Sequence, residues 1–337
     1  MKTPTVESRI KGSIYGVAVV DALGGPVEFQ PRRSFEPVTD YQHNSNFDVP
    51  PGTWTDDTSM TLCLAKSLID SSGVFDSQAA IQNYINWHDH GYLSATDECF
   101  DIGNATSKAL EIWQRTFDRF PTINNDDLAG REDGQPEIDK VLKHENYCGN
   151  GSLMRVSPIG LVYFNNMREA LYQAAASSNV THPYPTCAEC CTIYTKLIVC
   201  AMNGASKEDL AAELAATKLK DKKLEQRLGR YASLQCWQAK TERDIDSSGY
   251  VISTLEAALW SFFSTSTLES GALRAVNLGW DADTVGAVYG GLAGAFYGLE
   301  AIPSRWIEGL QKGEVIEENA DRLAKLGGAI TRPNMRS

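Results

Sequence analysis

Glycine recurs once per helical turn in G-A-V-Y-G-G-L-A-G-A-F-Y-G, at positions 286, 290, 294 and 298, with Ala287, Gly291 and Ala295 beside the stripe. Each glycine inside a helix costs about 1 kcal/mol relative to alanine, so such a stripe persists only where another helix or a ligand must come very close. The N-terminal G-S-I-Y-G, Gly12 to Gly16, echoes G-A-V-Y-G, Gly286 to Gly290. A helix near each end of the chain is therefore predicted to pack against the other at the centre of the protein.

Helical spacing continues through the rest of the chain. Met60, Cys63, Leu64, Ser67 and Leu68 fall at i, i+3, i+4, i+7 and i+8, and similar faces appear in Gln78–Trp87, Ala105–Trp113, Met167–Ala176, Ala188–Met202, Lys207–Leu214, Gly249–Phe263 and Ser304–Leu310. Strand-like alternation is scarce and no β-α-β rhythm appears, so the fold class that follows is all-α. Polar punctuation at Gln30–Gly52 and at Pro121–Asn150 reads as surface loop, and the charge-rich Lys218–Arg230 reads as a solvated helix face. None of these has the length or low complexity of an interdomain linker. The whole chain, 1–337, is expected to form a single domain with its core at about 10–315.

A net charge of −12 argues against a nucleic-acid or anionic-membrane surface and suits a chain that gathers cations. Arg9 and Lys11 before an apolar run resemble a signal peptide superficially, but Asp21 interrupts the run, which reads as a core helix. The longest uncharged apolar run, Thr284 to Leu299, falls short of the roughly 18 residues a membrane span needs. The eight cysteines are not spaced as a secreted disulfide framework, which points to a reducing, intracellular compartment, cytoplasmic or nuclear. The C-x-x-C at Cys187–Cys190 has no second ligand pair at zinc-finger spacing and reads as buried thiols.

Two acidic knots carry the chemistry. W-T-D-D-T, Trp54 to Thr58, and W-D-A-D-T, Trp280 to Thr284, each place carboxylates beside threonine hydroxyls at the entry to a helix. Taken singly, either is also what an N-cap with first-turn acids looks like. Together, four aspartates and two threonines make a cage of hard oxygens if the two helix starts meet, and no Lys or Arg lies next to either knot in the sequence.

These knots, with V-D-A-L-G-G-P-V-E (Val20 to Glu28), D-I-G-N-A-T (Asp101 to Thr106), C-G-N-G-S-L-M-R (Cys148 to Arg155) and S-N-V-T-H-P (Ser178 to Pro183), give the chain a resemblance to the ADP-ribosylglycohydrolase family. The likeness runs from about Gly12 to Gly298. It implies one compact, orthogonal helical domain and two divalent cations, Mg²⁺ or Mn²⁺, held by Thr55, Asp56, Asp57, Asp281, Asp283 and Thr284. It also implies that Glu28 and Asp101 lie near the substrate ribose and His182 near bound ADP-ribose. For Asp101, capping the following helix is an equal alternative; for His182, so is an ordinary core position. The segment Gly149, Asn150, Gly151 and Ser152 makes physical sense as a phosphate cradle, with glycines that turn backbone N–H groups toward an anion and a hydroxyl at a following helix start. Where the family usually has Gly or Asp, this chain has Trp280, which is expected to wall the ribose subsite.

The implied activity is metal-dependent hydrolysis at the anomeric carbon of the distal ribose of an ADP-ribose conjugate, a modified protein or a small molecule, by a monomer. Glu28, Asp56, Asp57 and Asp283 are the candidate catalytic carboxylates. Two alternatives stay open: the same site acting on O-acetyl- or nucleoside-linked ADP-ribose, and a catalytically silent relative that binds ADP-ribose or serves as a structural protein.

Overall fold

The computed structural model describes residues 3–119 and 134–330. Among them the regular structure is helical, with two isolated β-bridges and no strand. In chain order the helices are α1 (Val6–Gly24), α2 (Asp56–Asp70), α3 (Ser77–His90), α4 (Asn104–Arg119), α5 (Gly134–Leu142), α6 (Ser157–Val162), α7 (Met167–Asn179) and α8 (Pro185–Met202). They continue as α9 (Lys207–Ala215), α10 (Lys222–Leu228), α11 (Leu234–Gln238), α12 (Val251–Phe263), α13 (Leu268–Val276), α14 (Ala282–Tyr297), α15 (Ser304–Glu308) and α16 (Gly313–Ile330). The all-α expectation therefore holds.

Helices α1 and α14 form the central seam. A Cβ on Gly12 would lie 2.7 Å from the carbonyl oxygen of Gly294, and Cβ atoms on Gly16 and Gly290 would each run into the other's backbone. Gly286 faces the Val20 carbonyl, and Gly24 lies against the backbone of Asp283. Position numbers rise along α1 as they fall along α14, so the helices are antiparallel. The seam is stitched by Ser13 Oγ donating to the Gly291 carbonyl at 2.8 Å. Arg9 donates to the carbonyls of Ala295 and Phe296 at 2.8 and 2.6 Å, which satisfies the C-terminal end of α14. The consequence for the site is direct: the last turn of α1 meets the first turn of α14.

One contiguous apolar cluster surrounds this seam. Ile316, Ala320 and Leu323 of α16 are buried in it and α16 packs on α1, so the core continues past residue 315. The polar stretch predicted as loop through Pro121–Asn150 contains α5, which buries Ile138 and Leu142; residues 120–133 of that stretch lie outside the described residues. Within Lys218–Arg230, α10 carries charges outward and buries Leu224 and Leu228. All eight cysteines are free. Among the described residues no helix is long and apolar enough to cross a membrane.

Candidate active site

Asp21, in the last turn of α1, organises the start of α2. It is fully buried and accepts hydrogen bonds from Thr55 N (3.0 Å), Thr58 N (3.1 Å) and Thr58 Oγ1 (2.5 Å), with Thr55 Oγ1 at 2.9 Å. A carboxylate at a helix C-terminus is disfavoured by the dipole of its own helix, but Asp21 sits at the positive N-terminal end of α2. Neither Thr55, the N-cap of α2, nor Asp281, the N-cap of α14, uses its side chain to cap its helix. Side-chain capping is therefore absent at both knots, while Asp56, Asp57 and Asp283 do lie in the first turns of their helices, where the dipole favours an acid.

The knots meet. Asp57 Oδ2 lies 3.2 Å from Thr284 Oγ1 and 3.3 Å from Thr55 Oγ1. Asp21, Asp57 and Asp283 bring one carboxylate oxygen each to within 4.8 Å of one another, and so do Glu28, Asp101 and Asp283. Asp283 is common to both groups, and Asp57 and Asp283, 226 positions apart in the sequence, share one. Asp56 and Asp281 belong to neither group but line the same cavity of about 500 Å³, together with Glu28, Asp101, Asp283 and Thr284.

Burial pushes every one of these carboxyls upward, because the loss of water outweighs what hydrogen bonds return and no cation stands beside them among the described residues. Asp21 and Asp281 are raised to about 6 and Asp101 to about 7, each chiefly by burial. Threonine hydrogen bonds temper the rise at Asp21, and Asn150 and Thr284 temper it at Asp281. Asp56, Asp57, Asp283 and Glu28 are raised further by burial and then by their neighbours' charges. Four oxygens, Glu28 Oε2, Asp57 Oδ1, Asp101 Oδ2 and Asp283 Oδ1, are buried with no hydrogen-bond partner. Hard, anionic oxygens left unsatisfied and unpaired by any base are the donor set that a hard divalent cation takes.

The other lining of the cavity comes from Gly149, Asn150 and Gly151 and from His182. Asn150 Nδ2 donates to Thr254 Oγ1 at 2.8 Å and to Asp281 Oδ2, which ties this loop to the start of α14. The Asn150 carbonyl accepts from Leu153 N and Met154 N, so the chain turns here, and the next helix, α6, begins only at Ser157. The Ser152 hydroxyl is buried away from the cavity, 2.8 Å from Ser178 Oγ. His182 is buried, its Nδ1 2.8 Å from Thr181 Oγ1, and burial followed by the charge of Arg155 takes its pKa down to about 3.

Trp280 and Phe29 stand at the surface, 49% and 60% exposed, both with left-handed backbone at φ 59° and 63°. Their main chains are paired: Phe29 N donates to the Trp280 carbonyl at 2.7 Å, and Trp280 N to the Gln30 carbonyl at 2.8 Å. Non-glycine residues held this way cost on the order of 1–3 kcal/mol each. Phe29 lines the cavity, and Asp101, at φ 62°, shares the left-handed backbone.

Asp21 and Arg155 are buried charged residues beside the site to which sequence reasoning gave no role. Asp21 did leave a signal, a lone acid in an otherwise unbroken apolar helix. Arg155 closes the G-N-G-S-L-M-R segment, but nothing in the pattern shows that its side chain is fully buried.

A model of ADP-ribosylglycohydrolase matches residues 2–332 of the chain. The chain is 35% identical over 315 residues to ADP-ribosylarginine hydrolase Tri1 of Pseudomonas putida (strain GB-1), covering 94% of this chain and 77% of that protein. It is 25% identical over 334 residues to ADP-ribosyl-[dinitrogen reductase] glycohydrolase of Rhodospirillum rubrum, covering 97% and 99% of the two chains. A solved structure described as an ADP-ribosylglycohydrolase-related protein complex superposes with a TM-score of 0.77 at 34% identity, covering 96% of this chain and 99% of the other. A match across nearly the whole chain shows that the protein belongs to the ADP-ribosylglycohydrolase family and is a glycohydrolase.

Proposed function

We propose that the protein hydrolyses the N-glycosidic bond between ADP-ribose and an arginine side chain, releasing ADP-ribose, and that it does so with two divalent cations, Mg²⁺ or Mn²⁺. The observation that carries the metal requirement is the set of four unpartnered, buried carboxylate oxygens, three on residues that line the cavity, Glu28, Asp101 and Asp283, and one on Asp57, which clusters with Asp283. The arginine linkage is supported by the name of the 35%-identical relative, an ADP-ribosylarginine hydrolase. A guanidinium leaving group also suits a cavity whose lining sets carboxylates beside the exposed aromatic ring of Phe29.

In this reading Asp21, Asp57 and Asp283 hold one cation and Glu28, Asp101 and Asp283 the other, with Thr55, Asp56, Asp281 and Thr284 completing the shell. Bound there, the cations supply Lewis acidity that organises the ribose hydroxyls and acidifies a water. Water oxygen forms the new bond to the anomeric carbon as the bond from that carbon to the guanidine nitrogen breaks. Glu28, or a neighbouring aspartate, takes the proton from water and returns it to the departing nitrogen. Asp56, Asp57 and Asp283 favour the positive charge that develops on the ribose. Backbone N–H groups of Gly149, Asn150, Gly151 and Ser152 receive the diphosphate, with His182 beside them.

The test is a panel of arginine-, serine-, acyl- and nucleoside-linked ADP-ribose substrates, assayed for released ADP-ribose with Mg²⁺, with Mn²⁺ and with EDTA. Turnover of the arginine conjugate, silenced by EDTA and restored by either ion, is the expected result. Full activity in chelator would defeat the metal requirement, and preference for another linkage would defeat the arginine assignment.

A further inference from the structure

Arg155 is fully buried and, among the described residues, forms no ion pair with a carboxylate. Its guanidinium lies 4.6 Å from the centre of the Tyr84 ring, and Nη1 is 3.8 Å from Met60 Sδ. Its shortest polar contact is Nη2 to Thr181 Oγ1 at 2.6 Å, with the Ser177 carbonyl at 3.4 Å. Thr181 Oγ1 in turn lies 2.8 Å from His182 Nδ1. The far side of the His182 ring faces the cavity: a Cβ on Gly151 would meet His182 Cε1 at 2.9 Å and Nε2 at 3.2 Å, and one on Gly149 would meet Nε2 at 3.9 Å.

The hydrogen-bond inventory sets the direction of this chain. A guanidinium can only donate, so the Thr181 oxygen accepts from Arg155. The one hydroxyl proton of Thr181 then needs an acceptor, because a buried donor without one costs about 1–3 kcal/mol. The other polar contact of that hydroxyl is His182 Nδ1. A nitrogen that accepts at Nδ1 in a neutral ring carries its proton at Nε2.

We infer that Arg155 and Thr181 are positioning residues that lock His182 as its Nε2–H tautomer, so that the ring presents a neutral donor to an anionic oxygen of the ligand held against Gly149–Gly151. This rests on the reading above that an ADP-ribose diphosphate occupies this lining. Burial and the nearby charge of Arg155 keep the ring uncharged, in agreement with that role. With no carboxylate to neutralise it, the guanidinium polarises both hydrogen bonds toward the cavity and strengthens the Nε2–H as a donor. A buried cation without an acid, otherwise an expensive feature, thereby acquires a function at the ligand.

The experiment combines ¹⁵N-histidine NMR of the full-length, ligand-free protein with titration calorimetry of ADP-ribose. The wild-type His182 is expected to show an unprotonated Nδ1 and a protonated Nε2. Thr181→Val, which keeps the shape and removes the hydroxyl, should populate Nδ1–H and weaken ADP-ribose binding by about tenfold, and Thr181→Ser should restore both. A wild-type ring protonated at Nδ1 would overturn the relay, whether or not the valine variant folds. So would a folded Thr181→Val protein that binds ADP-ribose within twofold of wild type. If wild-type protein does not bind ADP-ribose at all, the functional reading falls instead, and the tautomer still decides the relay.

Discussion

Along one lining of the cavity, Glu28, Asp101 and Asp283 crowd their carboxylates to within 4.8 Å with oxygens left unbonded. Behind the other, beyond His182 and Thr181, the buried charge is a cation, Arg155, whose shortest polar contact is a neutral hydroxyl. The protein buries acids and a base within one site and pairs neither with the other. Pairing them would satisfy both at the expense of the ligand, since a neutralised floor holds no cation and a neutralised arginine polarises nothing. On the proposed function, keeping them apart would leave one lining to cations and a developing sugar charge and the other to a diphosphate.

The largest effect should come from removing charge from the floor. Asp57→Asn combined with Asp56→Asn is expected to lower kcat by about a thousandfold or more with unchanged circular dichroism, because it deletes both the cation site and the stabilisation of ribose charge. A double variant that retains activity would break the contrast between the two linings at its acidic end.

Next in size is the seam that brings the floor together. A Cβ on Gly290 would overlap the Gly16 backbone, which no side-chain movement relieves. Gly290→Ala should therefore destabilise the fold by about 2–3 kcal/mol in urea unfolding and weaken Mn²⁺ binding as Asp21 and Asp283 separate. Stability equal to wild type would show that the helices need no such closeness.

The smallest effect, and the one that sharpens the comparison most, is on pH. Asp21 and Asp281 at about 6 and Asp101 at about 7 lie above the ordinary value of about 4, so the folded, cation-free protein holds protons longer than the unfolded chain. Their contribution to stability is complete below about pH 4 and is lost as pH rises through 6 to 7. His182 has the opposite sign: at about 3 against an ordinary 6.5, its contribution is present above 6.5 and lost as pH falls toward 3. Between pH 5 and 8 the cation-free Tm is expected to fall by about 4 °C, and saturating Mg²⁺ should raise Tm more at pH 8 than at pH 5. Calorimetry showing a Tm that rises with pH in the absence of metal would contradict the acidic floor.

What could be read from the sequence and what could not follow from the range of each interaction. The glycine stripe, the helical spacing and the two knots are written in consecutive residues, and they led to the α1–α14 seam and to the meeting of Asp57 with Asp283. Asp21 stands out as a lone acid in an apolar run, but its role does not, because its partners Thr55 and Thr58 lie 34 and 37 positions away and no local pattern links them. The Arg155–Thr181–His182 chain was hidden for the same reason. Ser152 looked like a cradle hydroxyl because its segment has the composition of one, yet its side chain turns inward to Ser178. The stretch holding α5 has the sequence of a loop because Gly134 and Pro136 head it, and its buried apolar residues, Ile138 and Leu142, are too few to show a period.

The central claim is that distant acids jointly hold two cations through a shared Asp283. Crystals grown with Mn²⁺ and measured for anomalous scattering at the manganese edge test it directly. Two peaks are predicted, one against Asp21, Asp57 and Asp283 and one against Glu28, Asp101 and Asp283. Peaks only at other surfaces, or none at saturating Mn²⁺, would contradict it.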